Sequence, residues 1–219
     1  MSIRIELIEM FELLSSRFGP QRWWPAESQL EVMVGAILTQ NTNWKNVEKA
    51  IKALSEKKLL SLKGINDIPL HELAVIIKPA GYYNIKAGRL KNLITFIVER
   101  YESDLKKFFS QDISRLREEL LSIKGIGPET ADSILLYGGG HPIFVVDAYT
   151  FRILSRHGMC DESASYHELQ ELFMDNLPRD ASLFNELHAL IVRTAKNYCT
   201  KTPDCANCPL ADWGRCRPA

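Results

Sequence analysis

The sequence predicts an all-α fold, and three observations carry that prediction. Apolar residues recur at helical spacing through almost the whole chain. Glycine or proline interrupts several of these runs where a helix would end. Alternating β-branched residues are scarce, and the one strand-like run, Ile143-Phe144-Val145-Val146, is too short and isolated to build a sheet.

The elements follow in order. Residues 5–17 place Ile5, Leu7, Ile8, Met10, Phe11, Leu13 and Leu14 on a broad apolar stripe that stops at Gly19-Pro20. A second helix is expected from Ser28 to about Leu38, and a third from Asn43 to about Leu54. Pro69 should open a short helix at its first position, ending near Pro79-Ala80-Gly81. Tyr83 to Tyr101 reads as a long amphipathic helix that turns Ile85, Leu90, Leu93, Ile94, Ile97 and Val98 inward. Further helices are expected at roughly 113–121, 128–137, 147–157, 163–176 and 181–198. There is no internal repeat of solenoid length and no low-complexity linker, so two lobes sharing a cleft are expected rather than two separate beads.

Composition narrows the class. The 219 residues suffice for a buried core, and 46% hydrophobic with 25% charged residues is ordinary for a globular protein. No apolar run reaches the roughly 18 residues of a membrane span. The start Met1-Ser2-Ile3-Arg4-Ile5-Glu6 lacks a signal-peptide core, so cytoplasmic residence is the default expectation. No dimerisation stripe is apparent, which makes a monomer the default. Net charge is zero, but residues 41–100 carry 11 Lys and Arg against 5 Asp and Glu, a local balance of +6. The segment from Arg193 onward sets Arg193, Lys196, Lys201, Arg215 and Arg217 against Asp204 and Asp212. Such patches suit phosphates, and they also suit ordinary solvated helix faces.

Residues 119–137, ELLSIKGIGPETADSILLY, join two helices through Lys124-Gly125-Ile126-Gly127-Pro128. Two glycines around one apolar residue permit a tight turn with unblocked amides, Ile126 can plug the turn into the core, and Pro128 fits a first helical position. Amides beside a helix N-terminus can hold a DNA phosphate without sequence preference, although a plain αα-corner would use the same residues. Twenty residues past Gly127 stands Asp147, after an apolar run and at the start of a helix. It suits an N-cap, and its partial desolvation and rigidity also suit a catalytic base or a stabiliser of positive charge. The two roles are compatible.

Four of five cysteines lie near the C-terminus as Cys199-x5-Cys205-x2-Cys208-x7-Cys216, while Cys160 stands apart. Four thiolates can hold a [4Fe–4S] cluster or a structural zinc, or remain free thiols, and spacing alone does not separate these.

The stretches KGIGPETADSILLYG and VVDAYTFRIL, with LEVMVGAILTQNTNW (30–44) and PAGYYNIKAGRLKNL (79–93), resemble the helix–hairpin–helix superfamily of DNA glycosylases, the endonuclease III group. The resemblance covers roughly residues 25–216. It implies a two-lobed fold with a DNA-binding cleft between the lobes and a C-terminal [4Fe–4S] loop. One lobe, 22–137, would carry the hairpin; 1–21 with 138–219 would form the second, with the catalytic aspartate and the cluster loop. The implied partner is double-stranded DNA containing damaged bases, bound at the nucleoid. The hairpin residues Lys124, Gly125, Ile126, Gly127 and Thr130 would grip its backbone. Asp147 would be catalytic, and Cys199, Cys205, Cys208 and Cys216 would hold the cluster. The cysteine gaps depart from the family's usual C-x6-C-x2-C-x5-C by one residue in the first loop and two in the last.

Bifunctional members place a Schiff-base lysine two residues past the second hairpin glycine. Here that position is Glu129, which cannot form one. Glu129 matches the 3-methyladenine DNA glycosylase III subgroup, as do Trp23-Trp24-Pro25, Leu38-Thr39-Gln40-Asn41-Thr42 and Ala80-Gly81-Tyr82-Tyr83-Asn84. That subgroup lacks the cysteine cluster and uses a pocket lysine that does not transfer to this tail. The expected activity is therefore monofunctional release of alkylated purines. Trp24 and Trp44 are candidates for stacking on an electron-poor base, although core packing is the ordinary role of tryptophan. Gln40 is expected to fill the space of the extruded base, and Glu129 to border the pocket. Tyr82 and Tyr83 are expected to pack. The alternatives are an endonuclease III-like glycosylase/lyase for oxidised pyrimidines, a mismatch adenine or thymine glycosylase, and a non-catalytic DNA-backbone-binding module.

Overall fold

The computed structural model describes residues 2–214, and these are helical with no strand among them. Arg215, Cys216 and Arg217 lie outside the described residues. The chain divides into two compact units, one formed by Met1–Pro25 with Pro142–Ala219 and the other by Ala26–His141. No helix among the described residues is long and apolar enough to cross a membrane.

The Ala26–His141 unit is organised around α2 (Gln29–Leu38), whose residues from Val32 to Leu38 are all buried. A helix this apolar on every side belongs inside other helices, and α3 (Trp44–Glu56) and α6 (Tyr83–Tyr101) both pack on it. Between α3 and α6 come α4 (Leu62–Asp67), α5 (Leu70–Ile76) and a 3-10 turn at Lys78–Ala80. α7 (Leu105–Phe109), α8 (Ile113–Ser122) and α9 (Pro128–Ser133) complete the unit, and α9 runs on into a π turn at Ile134–Gly138. Ser28, Asn43, Ser61, Asp104 and Asp112 each cap a helix by accepting from a backbone N–H of its first turn.

Two expectations for this unit are corrected. Pro69 is the N-cap of α5 rather than its first residue. On α6, Ile85 is exposed and its neighbour Lys86 is buried, because Lys86 Nζ donates to the carbonyls of Leu38, 2.9 Å, and Ala80, 2.7 Å. Those carbonyls end α2 and the 3-10 turn, where no backbone N–H follows to satisfy them. Burial and the nearby Arg89 cation push the Lys86 ammonium down to about 8. Replacing Lys86 by Met should cost about 1–3 kcal/mol by orphaning two buried carbonyls, read as a lower urea midpoint at unchanged slope.

In the other unit, α1 (Ile3–Phe18) and α10 (Ala148–Arg156) both pack on α12 (Ala181–Asn197), and α11 (Tyr166–Met174) completes the set. The stripe of α1 is narrower than its sequence suggests. Leu7, Met10 and Leu14 are buried, whereas Ile5, Ile8 and Leu13 are exposed. The run Ile143–Val146 is buried and extended but joins no sheet. Side chains of α11 serve its backbone instead: Phe144 O accepts from Gln170 Nε2 at 2.7 Å, and Phe144 N–H points at Met174 Sδ. The Phe144 ring stacks on Phe173, with centroids 3.8 Å apart.

Candidate functional site

Anchored this way, the extended run delivers Asp147 to the start of α10 as its N-cap. Asp147 Oδ1 accepts from the Thr150 backbone N–H at 2.8 Å and from the Thr150 hydroxyl at 3.0 Å. Both bonds fall on one oxygen. The second, Oδ2, lies 3.7 Å from Nε2 of His188, a buried residue of α12. The carboxylate is only 13% exposed. Capping thus fixes the group rigidly while leaving one oxygen for chemistry.

The hairpin lies in the Ala26–His141 unit. Ile126 is buried, and its N–H donates to Ile123 O at 3.0 Å, closing the turn. Gly125 has a φ of +98°, and the Arg89 side chain lies against it so closely that an added Cβ would stand 2.4 Å from Arg89 Cγ. Gly127 instead faces open space and caps α9, with Pro128 at the first helical position. Arg117 of α8 grips Asp132 of α9 with two bonds, 2.7 and 3.0 Å, and Asp132 is fully buried. This paired charge sets the angle between the two helices of the hairpin.

Gln40 belongs to the same network. Its Nε2 donates to Thr130 Oγ1 at 2.9 Å and to Gly125 O at 3.3 Å, and its Oε1 accepts from Arg89. Thr130 is therefore buried beneath the hairpin, with its hydroxyl committed to Gln40. Lys124 is exposed, its carbonyl accepting from Asn92. Glu129 is exposed in the first turn of α9. Trp44 is half-buried, and its indole N–H donates to Glu48 one turn along α3. Trp24 is half-buried in the other unit, edge-on to Trp23 with centroids 5.8 Å apart. Tyr82 does not pack: it is 67% exposed and takes a left-handed φ of 45°. Arg89, Arg117 with Asp132, and His188 escaped sequence reading because no local pattern marks them; only the tertiary fold brings them to their partners.

Cys199, Cys205 and Cys208 line one pocket together with Arg156, His157 and Leu210. Arg156 donates to Cys199 Sγ at 3.1 Å and to Thr200 O at 2.8 Å. Burial, then the neighbouring Cys199, Cys205 and Asp204, push the Cys208 thiol up against a backbone bond from Leu210 that lowers it. Among the described residues no three His, Cys, Asp or Glu side chains are grouped tightly enough to hold one metal ion. The fourth expected ligand, Cys216, lies outside the described residues. Past the 3-10 turn Cys205–Asn207, buried Leu210 and Trp213 anchor the segment, Trp213 Nε1 donating to Glu6 O on α1. Cys160 stands apart, its thiol pushed up by burial and by Asp161.

Comparison with known proteins places these features in a family. The profile of HhH-GPD superfamily base excision DNA repair proteins matches residues 34–179. A candidate DNA repair glycosylase of Methanocaldococcus jannaschii is 49% identical over 96% of both chains. The H. pylori 3-methyladenine DNA glycosylase, solved with 1,N6-ethenoadenine, superposes with a TM-score of 0.78 at 30% identity, over 90% of this chain and 98% of that one. An endonuclease III in a non-covalent DNA complex superposes with a TM-score of 0.83 at 22% identity, over 98% and 96% of the two chains, a likeness of fold.

Proposed function

This chain belongs to the HhH-GPD superfamily of base excision DNA repair proteins, and from that premise we propose that it is a monofunctional glycosylase for alkylated purines. That it is a DNA glycosylase follows from the family; the substrate and the hydrolytic route are our reading. The observation that carries it is Glu129, exposed in the first turn of α9 where bifunctional relatives would place the attacking lysine. A carboxylate cannot form the Schiff base that strand cleavage needs. The likeness to the H. pylori enzyme supports the substrate class, since that protein is a 3-methyladenine glycosylase.

The chemistry follows from Asp147. The C1′–N bond breaks with its electrons passing to the purine, and positive charge develops on the deoxyribose. An alkylated purine is already cationic, so it leaves as a neutral base without needing a proton. Asp147 Oδ2 offsets the sugar's charge and accepts a proton from the water whose oxygen bonds to C1′. Oδ1 stays on the α10 cap and keeps the carboxylate from turning. Gln40, held by Thr130 and Arg89, would fill the gap left by the extruded base, with Lys124 and the hairpin glycines on the DNA backbone. Trp24 and Trp44 are the aromatic faces assigned to the electron-poor base.

Residues Cys199, Cys205 and Cys208, with Cys216, fit a [4Fe–4S] cluster better than zinc. Zinc sites often come as two C-x-x-C pairs, and here only Cys205-x2-Cys208 has that form; Cys199, Cys205 and Cys208 line one pocket. The cluster would act as a covalent staple for the segment after α12. It is also the feature that favours the second reading, an endonuclease III-like enzyme for oxidised pyrimidines.

Borohydride trapping on duplexes containing thymine glycol or an abasic site separates the two. We expect no trapped adduct, and strand breaks only after hot alkali. A trapped adduct, with breaks before alkali, would show that another amine does the work of the missing lysine.

A further inference from the structure

Resting on the reading of Asp147 as the catalytic carboxylate, we propose that His188 is a positioning residue that acts on the reaction through Asp147, steering the one oxygen the helix cap leaves over. Oδ1 is spent on Thr150 twice, so the carboxylate can address water and sugar only through Oδ2. His188 Nε2 stands 3.7 Å from that oxygen. The separation exceeds a direct N–H···O bond and leaves the ring within reach of the carboxylate. Contacts of this kind tighten when substrate is in place.

The ring is well placed for the task. It is 4% exposed on α12, with Phe144 edge-on at 6.3 Å, and Phe144 lies in the same extended run that carries Asp147. Two charged groups that act on the ring are Asp147, from the start of α10, and Lys196, about two turns along α12. Burial holds the imidazole below the usual histidine range; Asp147 opposes that shift and Lys196 reinforces it. At neutral pH the ring is therefore uncharged, and its N–H can orient Oδ2 without cancelling the carboxylate's charge. At acid pH the ring gains a proton and pairs with Oδ2, withdrawing that oxygen from the sugar. His188 thus sets the acid limit of turnover as well as the carboxylate's pose.

The test compares Asp147→Asn, His188→Phe and His188→Gln with the wild type over about pH 5 to 8. The readout is release of methylated purine from methylated duplex DNA in single turnover, with a thymine-glycol duplex assayed in parallel. Gln reaches the place of Nε2 and donates there but cannot titrate. We expect His188→Phe to lose about 10- to 100-fold in rate with substrate binding retained. His188→Gln should recover most of that loss at neutral pH and hold its rate to a lower pH than the wild type. Should His188→Phe fold poorly, the pH profile of His188→Gln decides alone. A full rate for folded His188→Phe, or a wild-type acid fall in His188→Gln, overturns the role of His188. Activity in Asp147→Asn overturns the reading of Asp147 itself, whatever the histidine variants do.

Discussion

Asp147→Asn should abolish turnover while leaving the fold and DNA binding in place. Asn caps a helix as well as Asp, because its side-chain oxygen still accepts from the Thr150 N–H. The α10 N-terminus is therefore kept, and the melting temperature should hardly move. What is lost is the negative charge at Oδ2 that offsets the sugar cation and takes the water's proton. Removing one such charge or donor from a dry site costs about 10²–10³-fold, and loss of the base adds to it. We expect a fall in rate of at least about 10³, or about 4 kcal/mol of transition-state stabilisation. Binding of lesion duplex should persist or tighten, since one negative charge fewer faces the phosphates. Asp147→Ala provides the contrast: the same loss of rate, with about 0.5–2 kcal/mol of stability lost along with the cap.

The second large effect concerns the cysteine pocket. Replacing Cys205 and Cys208 by Ser should remove two of the four proposed ligands, and with them the protein's iron, its acid-labile sulfide and the broad visible absorption of an iron–sulfur chromophore. The wild type should carry about four irons per chain and no zinc. Metal binding is coupled to the folding of the segment that supplies the ligands. The variant should therefore expose residues 200–214 to protease while α10 and α12, joined by apolar packing, stay intact. Trp213 and Leu210 remain as apolar anchors, so the loss should be partial, yet well above the roughly 0.5 kcal/mol of an ordinary surface change. Stoichiometric zinc, or full stability of the metal-free variant, would contradict the cluster.

Much of this was legible in the residues themselves. The all-α class is borne out, and α6 runs from Tyr83 to Tyr101 as its periodicity predicts. The helix ends given by Ser28 and Asn43 were legible because capping is local chemistry. The short helices α4 and α7 were not foreseen, since a few residues carry no readable period. Ile85 and Lys86 show where a pattern misleads. Hydrophobicity would turn the isoleucine inward, but two unsatisfied carbonyls at Leu38 and Ala80 demand a donor, and the buried polar bond prevails. At the site, the hairpin glycines and Asp147 are marked by local sequence. Arg89, the Arg117–Asp132 pair and His188 depend on elements distant in the chain, and nothing local announces them. The tyrosine after Gly81 was expected to pack; the left-handed turn at Tyr82 sends it into solvent instead.

Substrate choice and route are read together by chromatography of the free base released from an equimolar mixture of two duplexes, one with a single 3-methyladenine and one with a single thymine glycol. Free 3-methyladenine and an abasic strand that breaks only in hot alkali are the expected products. Release of thymine glycol with strand breaks before alkali would contradict a monofunctional glycosylase for alkylated purines.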